Sequence, residues 1–344
     1  MIHVSAERLR AVVTEVFEAA GTPSETAYEV AASLVEGNLT GHDSHGVLRI
    51  SFYVDAIRDG RLDPRGELTV VRESATTALL DGGRNFGPVT ARKAMDHALA
   101  KAHSHDLGMV AIRNCGHTGR LGQYAVQAAQ AGFMGMVFSF GSVKGGTVAP
   151  YLGTSRTFNT NPIAWAVPAA THPPVFMDYA TSVVAQGKIQ AAVDKGVRIP
   201  EGWLLDAQGN PTTDPSEQMR GGVMLPFGAH KGYCLAFMIE VLAGGLTGVG
   251  CSALPAFRPD FPTVMLAVNI AAFQPLEQFC RLVDELIAVT KAGRKAPGVE
   301  EILVPGEPEW RAREKHLGDG LDLPEATWQR IVDAGVKCGL TVVL

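Results

Sequence analysis

Residues 108–122 read GMVAIRNCGHTGRLG, and this stretch indicates how the middle of the chain folds. Its first six residues form a short, largely apolar run typical of a strand, and the residues that follow it have helical spacing. Gly116, Gly119 and Gly122 lie between the two and allow a ligand to approach the backbone closely. We therefore predict a strand, a glycine-rich turn and a helix start, where an anion is favoured.

Short strands and helices alternate on both sides of this stretch, which predicts the α/β class. Strands are predicted at 76–80, 108–113, 133–140, 163–167, 175–178, 263–269 and 302–304. Three helices are predicted within 5–60, beginning after Ser5, at Ser24 and at Ser44. Further helices are predicted at 88–103, 119–131, 182–195, 231–246, 275–292, 309–316 and 324–338. The segment 196–229, rich in Gly and Pro, is predicted to be a long irregular excursion.

Both ends of the chain are mainly helical, and this predicts two lobes. Residues 1–75 and 275–344 are expected to form one helical lobe that flanks a central α/β lobe of residues 76–274. We expect the helices near the two ends to pack together.

Composition excludes several classes of protein. The 344 residues carry a net charge of -5 and no basic block, which argues against nucleic acid as a partner. Apolar runs are too short to span a membrane, and the N-terminus has no secretory signal. The five cysteines are widely spaced without a C-x-x-C motif, which is typical of reduced thiols in the cytoplasm.

The strongest chemical signal is residues 41–53, GHDSHGVLRISFY. On the predicted helix, His45, Arg49 and Tyr53 follow each other at intervals of four and so share one face. Arginine can hold a carboxylate with two parallel hydrogen bonds, and histidine can exchange a proton near neutral pH. These groups suit a 2-oxo acid, although solvated or interface contacts would explain Arg49 and Tyr53 equally well.

Three other positions could carry chemistry. His117 lies at a strand end, where α/β proteins place catalytic groups, although a turn histidine is as simple an explanation. Asp178 also ends a strand and could be a helix cap and nothing more. Lys231 enters a helix at its positive end, which an anionic ligand would rationalise, whereas the alternative is a solvated lysine.

The usual dinucleotide fingerprint is absent. No G-x-G-x-x-G occurs, and the single G-x-G-x-x-A, at Gly248, Gly250 and Ala253, follows a predicted helix instead of a strand. A dinucleotide would therefore have to bind without a standard Rossmann turn.

Six motifs in order resemble the malate/L-lactate dehydrogenase superfamily over nearly the whole chain. They are DSHG at 43–46, GHTG at 116–119, TNP at 160–162, DYATS at 178–182, HKGY at 230–233 and PGE at 305–307. The hydroxycarboxylate dehydrogenase branch is nearest, through HDSH at 42–45 and PTTDP at 211–215. The resemblance implies a non-Rossmann fold, with a largely antiparallel central sheet that binds NAD or NADP, a helical lobe from both chain ends, and a homodimer.

The resemblance also implies roles for individual residues. His45 and His117 match the acid/base candidates, and Ser44, Arg49 and Tyr53 match substrate-side positions. The family's cofactor-contacting serine matches either Ser139 or Ser142. The other cofactor contacts match Gly119, Arg120, Leu121, Asp178, Tyr179, Ala180, His230, Lys231, Gly306 and Glu307.

We therefore predict an NAD(P)-dependent oxidoreductase that interconverts a small 2-hydroxy acid and its 2-oxo acid. His45 is predicted to carry the proton, with His117 as its partner, because one helical turn separates His45 from the carboxylate anchor Arg49. The alternatives are a cyclic imino acid reductase, a zinc enzyme using His42, Asp43, His45 and His117, and a binding protein without catalysis. No metal is expected under the favoured hypothesis.

Overall fold

The computed structural model describes residues 1–343. Its helices are α1 (Ala6–Ala19), α2 (Ser24–Leu39), α3 (Ile50–Arg58), α4 (Gly87–His105), α5 (Gly122–Gln130), α6 (Gln186–Lys195), α7 (His230–Ile239), α8 (Leu276–Lys291), α9 (Glu307–Asp319) and α10 (Glu325–Lys337). Its strands are β1 (Ile2–Val4), β2 (Thr69–Glu73), β3 (Thr77–Asp81), β4 (Leu107–Arg113), β5 (Phe133–Ser139), β6 (Ile163–Val167), β7 (Val175–Tyr179), β8 (Leu204–Leu205), β9 (Pro211–Thr212), β10 (Val223–Met224), β11 (Thr263–Asn269) and β12 (Leu321–Leu323). Among these residues no helix has the length and apolar character that a membrane span needs.

The predicted α/β class is confirmed, and a seven-stranded sheet forms the centre of the chain. The strand order is β2-β3-β4-β11-β5-β6-β7. Five of the six neighbouring pairs are antiparallel, and only β3 and β4 run parallel. The late strand β11 is inserted between β4 and β5, with Thr263 opposite both Ile112 and Ser139. This insertion brings the residues just before β11 to the end of β4, where His117 follows.

One hydrophobic core joins the two ends of the chain. It contains buried residues of α1, α2 and α3 together with Ile331 and Ala334 of α10. Strand β1 also pairs with β12, so the first and last strands share a small sheet. The helices near both ends therefore pack together, whereas the predicted lobe limits at 75 and 275 stay a prediction.

Several predicted elements differ from the structure. Residues 302–304 form no strand, and the segment 196–229 contains a small sheet of β8, β9 and β10. The helix predicted at 231–246 is α-helical only to Ile239, after which Glu240–Gly245 form a π-helical turn. At the π-helical turn, the Glu240 carboxylate accepts hydrogen bonds from the amide and hydroxyl of Ser252.

Candidate active site

Residues 43–49 form two 3-10 turns, Asp43–His45 and Val47–Arg49, and the prediction of an α-helix starting at residue 44 was wrong. The buried side chain of Asn38 explains the change. Its amide donates to the Asp43 carboxylate (2.7 Å) and its carbonyl oxygen accepts from the Val47 amide (2.8 Å). A Cβ on Gly46 would lie 2.2 Å from that oxygen, so this close approach requires glycine.

The predicted common helix face of His45, Arg49 and Tyr53 is therefore also wrong. Only Tyr53 lies in α3, and its side chain is fully buried. Its hydroxyl lies 3.0 Å from Nδ1 of His117 and donates to the His117 carbonyl oxygen at 3.1 Å. The Tyr53 hydroxyl thus contacts His117 and does not face open space.

Tertiary packing brings the two predicted catalytic histidines together. The rings of His45 and His117 stack with centroids 5.7 Å apart and planes at 12°. The Ser44 hydroxyl lies 3.0 Å from Nδ1 of His45. The edge of the Phe261 ring contacts His117, at 5.4 Å between centroids. Both histidines are half-buried.

Burial and neighbouring cations keep both rings neutral. Burial, followed by the charges of Arg49, His42 and Arg120, lowers the pKa of His45 to about 3. Burial, followed by Arg49 and His45, holds the pKa of His117 well below its ordinary value of 6.5. A neutral imidazole can accept the proton of an alcohol, and an incoming anion would favour the protonated ring.

Arg49 is held beside the histidine pair by its own backbone turn. Its Nε donates to the carbonyl oxygen of Ser44 at 2.7 Å. Because Nε donates this hydrogen bond, the two terminal NH2 groups of the guanidinium remain to hold a carboxylate.

The glycine-rich turn meets Asp178 at the start of α5. The Gly122 amide donates to the Asp178 carboxylate at 2.7 Å, although 56 residues separate them. A Cβ on Gly122 would lie 3.0 Å from that oxygen. Asp178 is therefore a helix cap, but of α5 and not of the helix that follows it in sequence.

Arg120 lies buried beside this cap with part of its guanidinium unpaired. It is 8% exposed and lies over the ring of Phe176, 5.5 Å from the ring centroid. Its Nη1 has no hydrogen bond partner in the part of the chain that the structure describes. A buried, incompletely paired cation is unfavourable, so this position suits an anionic ligand.

The start of α7 lies next to the end of β7. The Phe227 amide donates to the Thr181 carbonyl oxygen at 2.9 Å, and the Tyr179 ring contacts Phe227 edge to face at 5.6 Å. Lys231 is exposed in the first turn of α7. The His230 ring contacts Tyr151 at 5.9 Å.

The remaining predicted cofactor positions differ in what they can offer. Gly306 begins α9 with a φ of +86°, so close to Phe176 that a Cβ would lie 2.5 Å from its ring. The Glu307 carboxylate is engaged by Lys291 (2.5 Å) and the Val304 amide (3.1 Å). Gly119 has a φ of +69°, Leu121 is buried in the sheet core, and Ala180 is half-buried after β7.

Asp260 and Phe261 were missed from the sequence. The Asp260 carboxylate accepts from the backbone amides of Asn114 (2.5 Å) and Cys115 (2.9 Å) and so anchors the turn that carries His117. An aspartate before a strand carries no signal by itself. Knowing that β11 pairs with β4 would have placed it there.

The residues of the zinc alternative do not converge. His42 Nε2 lies 3.3 Å from the Glu309 carboxylate, and the Asp43 carboxylate accepts a hydrogen bond from Asn38. Within residues 1–343, no three His, Cys, Asp or Glu side chains are grouped so that they could share a metal ion.

Comparison with known proteins shows which family the chain matches. The family model described as malate/L-lactate dehydrogenase matches residues 4–332. Hydroxycarboxylate dehydrogenase B from Escherichia coli is 36% identical, covering 97% of this chain and 94% of that protein. Malate dehydrogenase from Pyrococcus abyssi is 36% identical over 98% of this chain and 96% of its own length. The crystal structure of malate dehydrogenase from Entamoeba histolytica superposes with a TM-score of 0.92 at 27% identity, covering 100% and 99% of the two chains.

Proposed function

The chain belongs to the malate/L-lactate dehydrogenase family, and on that premise we propose how its residues interconvert a 2-hydroxy acid and its 2-oxo acid. It is an oxidoreductase of this class. The observation that carries the proposal is the stacked pair His45 and His117 beside the Arg49 guanidinium. Arg49 holds the substrate carboxylate, and an imidazole exchanges the proton of the neighbouring oxygen.

The choice between the two histidines changes with the structure. The sequence argument for His45 used the spacing of an α-helix, which residues 43–49 do not form. Hydrogen bonding favours His117 instead, because the hydroxyl of the buried Tyr53 contacts both its ring and its backbone carbonyl. We therefore assign the proton to His117 and a supporting electrostatic role to His45.

Members of this family depend on a pyridine nucleotide, which would donate a hydride to C2 of the substrate or accept one from it. The unpaired Nη1 of buried Arg120 fits an anionic group of such a cofactor, and Lys231 at the start of α7 offers a second cation. We propose that the cofactor also contacts the remaining predicted positions, which are Gly119, Leu121, Asp178, Tyr179, Ala180, His230, Gly306 and Glu307. Both NAD and NADP suit these groups.

One of the two candidate serines is already engaged. The Ser139 hydroxyl is buried, donates to the Pro262 carbonyl oxygen at 3.1 Å and lies 2.9 Å from the Thr263 hydroxyl. We therefore propose Ser142 as the serine that contacts the cofactor.

We also propose a homodimer. The face of α7 and of the π turn after it leaves Phe237, Met238 and Val241 48%, 60% and 47% exposed. Apolar side chains grouped on one helix face are typical of a contact surface. Light scattering of the purified protein at twice the mass of one chain would support the dimer, and the mass of one chain would contradict it.

The function is tested with two 2-oxo acids, oxaloacetate and pyruvate, and with one cyclic imino acid. Each is assayed with NADH and with NADPH, and the reaction is followed at the nicotinamide absorbance. Turnover of a 2-oxo acid, with the cyclic imino acid much slower, is the expected result. Reduction of the imino acid alone would favour the imino acid reductase instead.

A further inference from the structure

The hydroxyl of Tyr53 contacts two groups of His117 at once. Its oxygen lies 3.0 Å from the ring Nδ1 and 3.1 Å from the backbone carbonyl oxygen. A phenol has a single hydrogen, and a carbonyl oxygen can only accept one. Two hydrogen bonds therefore need two hydrogens, one from the phenol and one from the imidazole.

Only one tautomer of neutral His117 supplies both hydrogens. When the phenol donates to the carbonyl, Nδ1 must carry the ring hydrogen and donate it to the phenol oxygen. In the other tautomer the single phenolic hydrogen has two acceptors to serve, and one buried acceptor is left unpaired, which is unfavourable. The geometry thus favours a proton on Nδ1 and a lone pair on Nε2.

We propose that Tyr53 is a positioning residue that holds His117 in the Nδ1–H tautomer, so that Nε2 exchanges the proton with the substrate. This inference rests on the proposed role of His117 as the proton carrier. During oxidation of the hydroxy acid, the substrate O–H bond breaks and an Nε2–H bond forms, while the hydride from C2 of the substrate would pass to the oxidised pyridine nucleotide. The resulting imidazolium keeps its Nδ1–H bond to Tyr53 and later releases the Nε2 proton.

Packing prevents either ring from escaping this arrangement. The Tyr53 ring is fully buried and meets Phe86 edge to face, with centroids 5.5 Å apart. The His117 ring lies between the edge contact of Phe261 and the stacked ring of His45. A half-turn of His117 about its Cβ–Cγ bond would put a carbon where Nδ1 lies and so break the hydrogen bond to Tyr53.

The charged and titratable groups that face His117 determine its pKa. Arg49 and His45 approach it from the 43–49 turns, and both lower its pKa. Cys115 and Asp260 lie at the base of its own turn. The phenol oxygen of Tyr53 accepts from Nδ1 and therefore favours the imidazolium. Removing that oxygen should move the pKa of His117 lower still.

Nitrogen-15 NMR of the wild-type protein, labelled at histidine, tests the tautomer directly. The spectrum is recorded at pH 8, where His117 is neutral, and its signals are assigned by difference from His117→Gln. We expect a directly bonded hydrogen on Nδ1 and none on Nε2. A hydrogen on Nε2 would overturn the proposal, and this result does not depend on activity.

Tyr53→Phe tests the consequence, because it keeps the buried ring and removes only the hydroxyl. We expect His117 to sample both tautomers and kcat to fall by roughly 10–100-fold, with less than about a twofold change in substrate KM. The acid limb of the pH profile for oxidation should also move to lower pH. A purely structural role would not move that limb.

Tyr124→Phe is the matched control. The Tyr124 hydroxyl is also buried, but it donates to the Thr118 carbonyl oxygen at 2.5 Å and not to His117. The Tyr124→Phe substitution should leave the His117 signals and the pH profile unchanged. Equal effects of Tyr124→Phe and Tyr53→Phe would contradict the proposal. If Nδ1 carries the hydrogen but His117→Gln retains full kcat, the proposed proton carrier is wrong while the tautomer stands.

Discussion

The imidazole rings of His45 and His117 lie nearly parallel, with planes at 12° and centroids 5.7 Å apart. Stacked rings do not direct an N–H bond at each other's nitrogen, so a proton does not pass directly between them. A positive charge on one ring nevertheless makes a charge on the other unfavourable. The pair therefore carries at most one positive charge under working conditions, and each histidine affects the titration of the other.

His117→Ala should lower kcat by about 10²–10⁴, the usual contribution of general acid–base catalysis, and leave cofactor binding intact. His45→Ala should lower kcat less, because it removes a neighbour and not the proton carrier. Steady-state kinetics and calorimetric titration with NADH and NADPH measure the two effects. The assignment is reversed if His45→Ala causes the larger loss.

Arg49→Lys should weaken substrate binding much more than cofactor binding. Lysine keeps the charge but loses the paired donors, which should cost about 1.5–3 kcal/mol, or roughly 10–100-fold in KM for the 2-oxo acid. Arg58→Lys, at the exposed end of α3, is the matched control and should change neither constant. An unchanged KM for Arg49→Lys would show that another residue holds the carboxylate.

Arg120→Met should weaken both the free protein and its complex with the cofactor. The substitution removes the buried cation that favours the Asp178 carboxylate, so we expect a lower Tm without cofactor. It should also raise the cofactor Kd at least about tenfold, because a charge-assisted contact is lost. Thermal melts with and without cofactor measure both effects, and an unchanged Kd would remove Arg120 from the cofactor site.

Stability should fall as the solution becomes acidic. The pKa of His45 is about 3 and that of His117 is also below 6.5, so between those values and 6.5 the unfolded chain binds more protons. Stabilisation by the neutral rings is fully present above pH 6.5 and is lost progressively below it. Melting curves at pH 8, 6 and 5 should show this decline, and the double variant His45→Gln, His117→Gln should show a smaller one. An equal decline in both proteins would assign the acid sensitivity to other groups.

Asp260→Asn should disturb the turn that carries His117. An amide cannot replace a carboxylate whose two oxygens accept from three backbone amides, and we expect a loss of about 1–3 kcal/mol in the free energy of unfolding, together with lower kcat. Asp206→Asn is the control, because Asp206 also accepts from backbone amides, those of Gln208 and Asn210, in a turn between β8 and β9. Lower kcat in both variants would indicate a general effect of stability.

Local patterns in the sequence were sufficient to predict most of the regular elements. The strands 163–167 and 263–269 lie where the apolar runs predicted them, and Ser5 caps α1 by accepting from the Arg8 amide. Such signals depend on residues close together in the chain, where side-chain periodicity and capping chemistry act. The motifs around His45, His117 and Asp178 also predicted which residue types the candidate site contains.

Tertiary structure decided how those residues act, because the decisive contacts join distant segments. A hydrogen bond from the Val47 amide to the Asn38 side chain accompanies 3-10 turns where a helix was predicted from residue 44. Asp178 caps a helix that begins 56 residues earlier in the chain. The insertion of β11 between β4 and β5 brings Asp260 under the turn of His117. Periodicity cannot specify which strands become neighbours, since pairing depends on the packing of the whole sheet. The sequence by itself therefore determined the elements and the chemical groups, and the fold determined their partners and protonation.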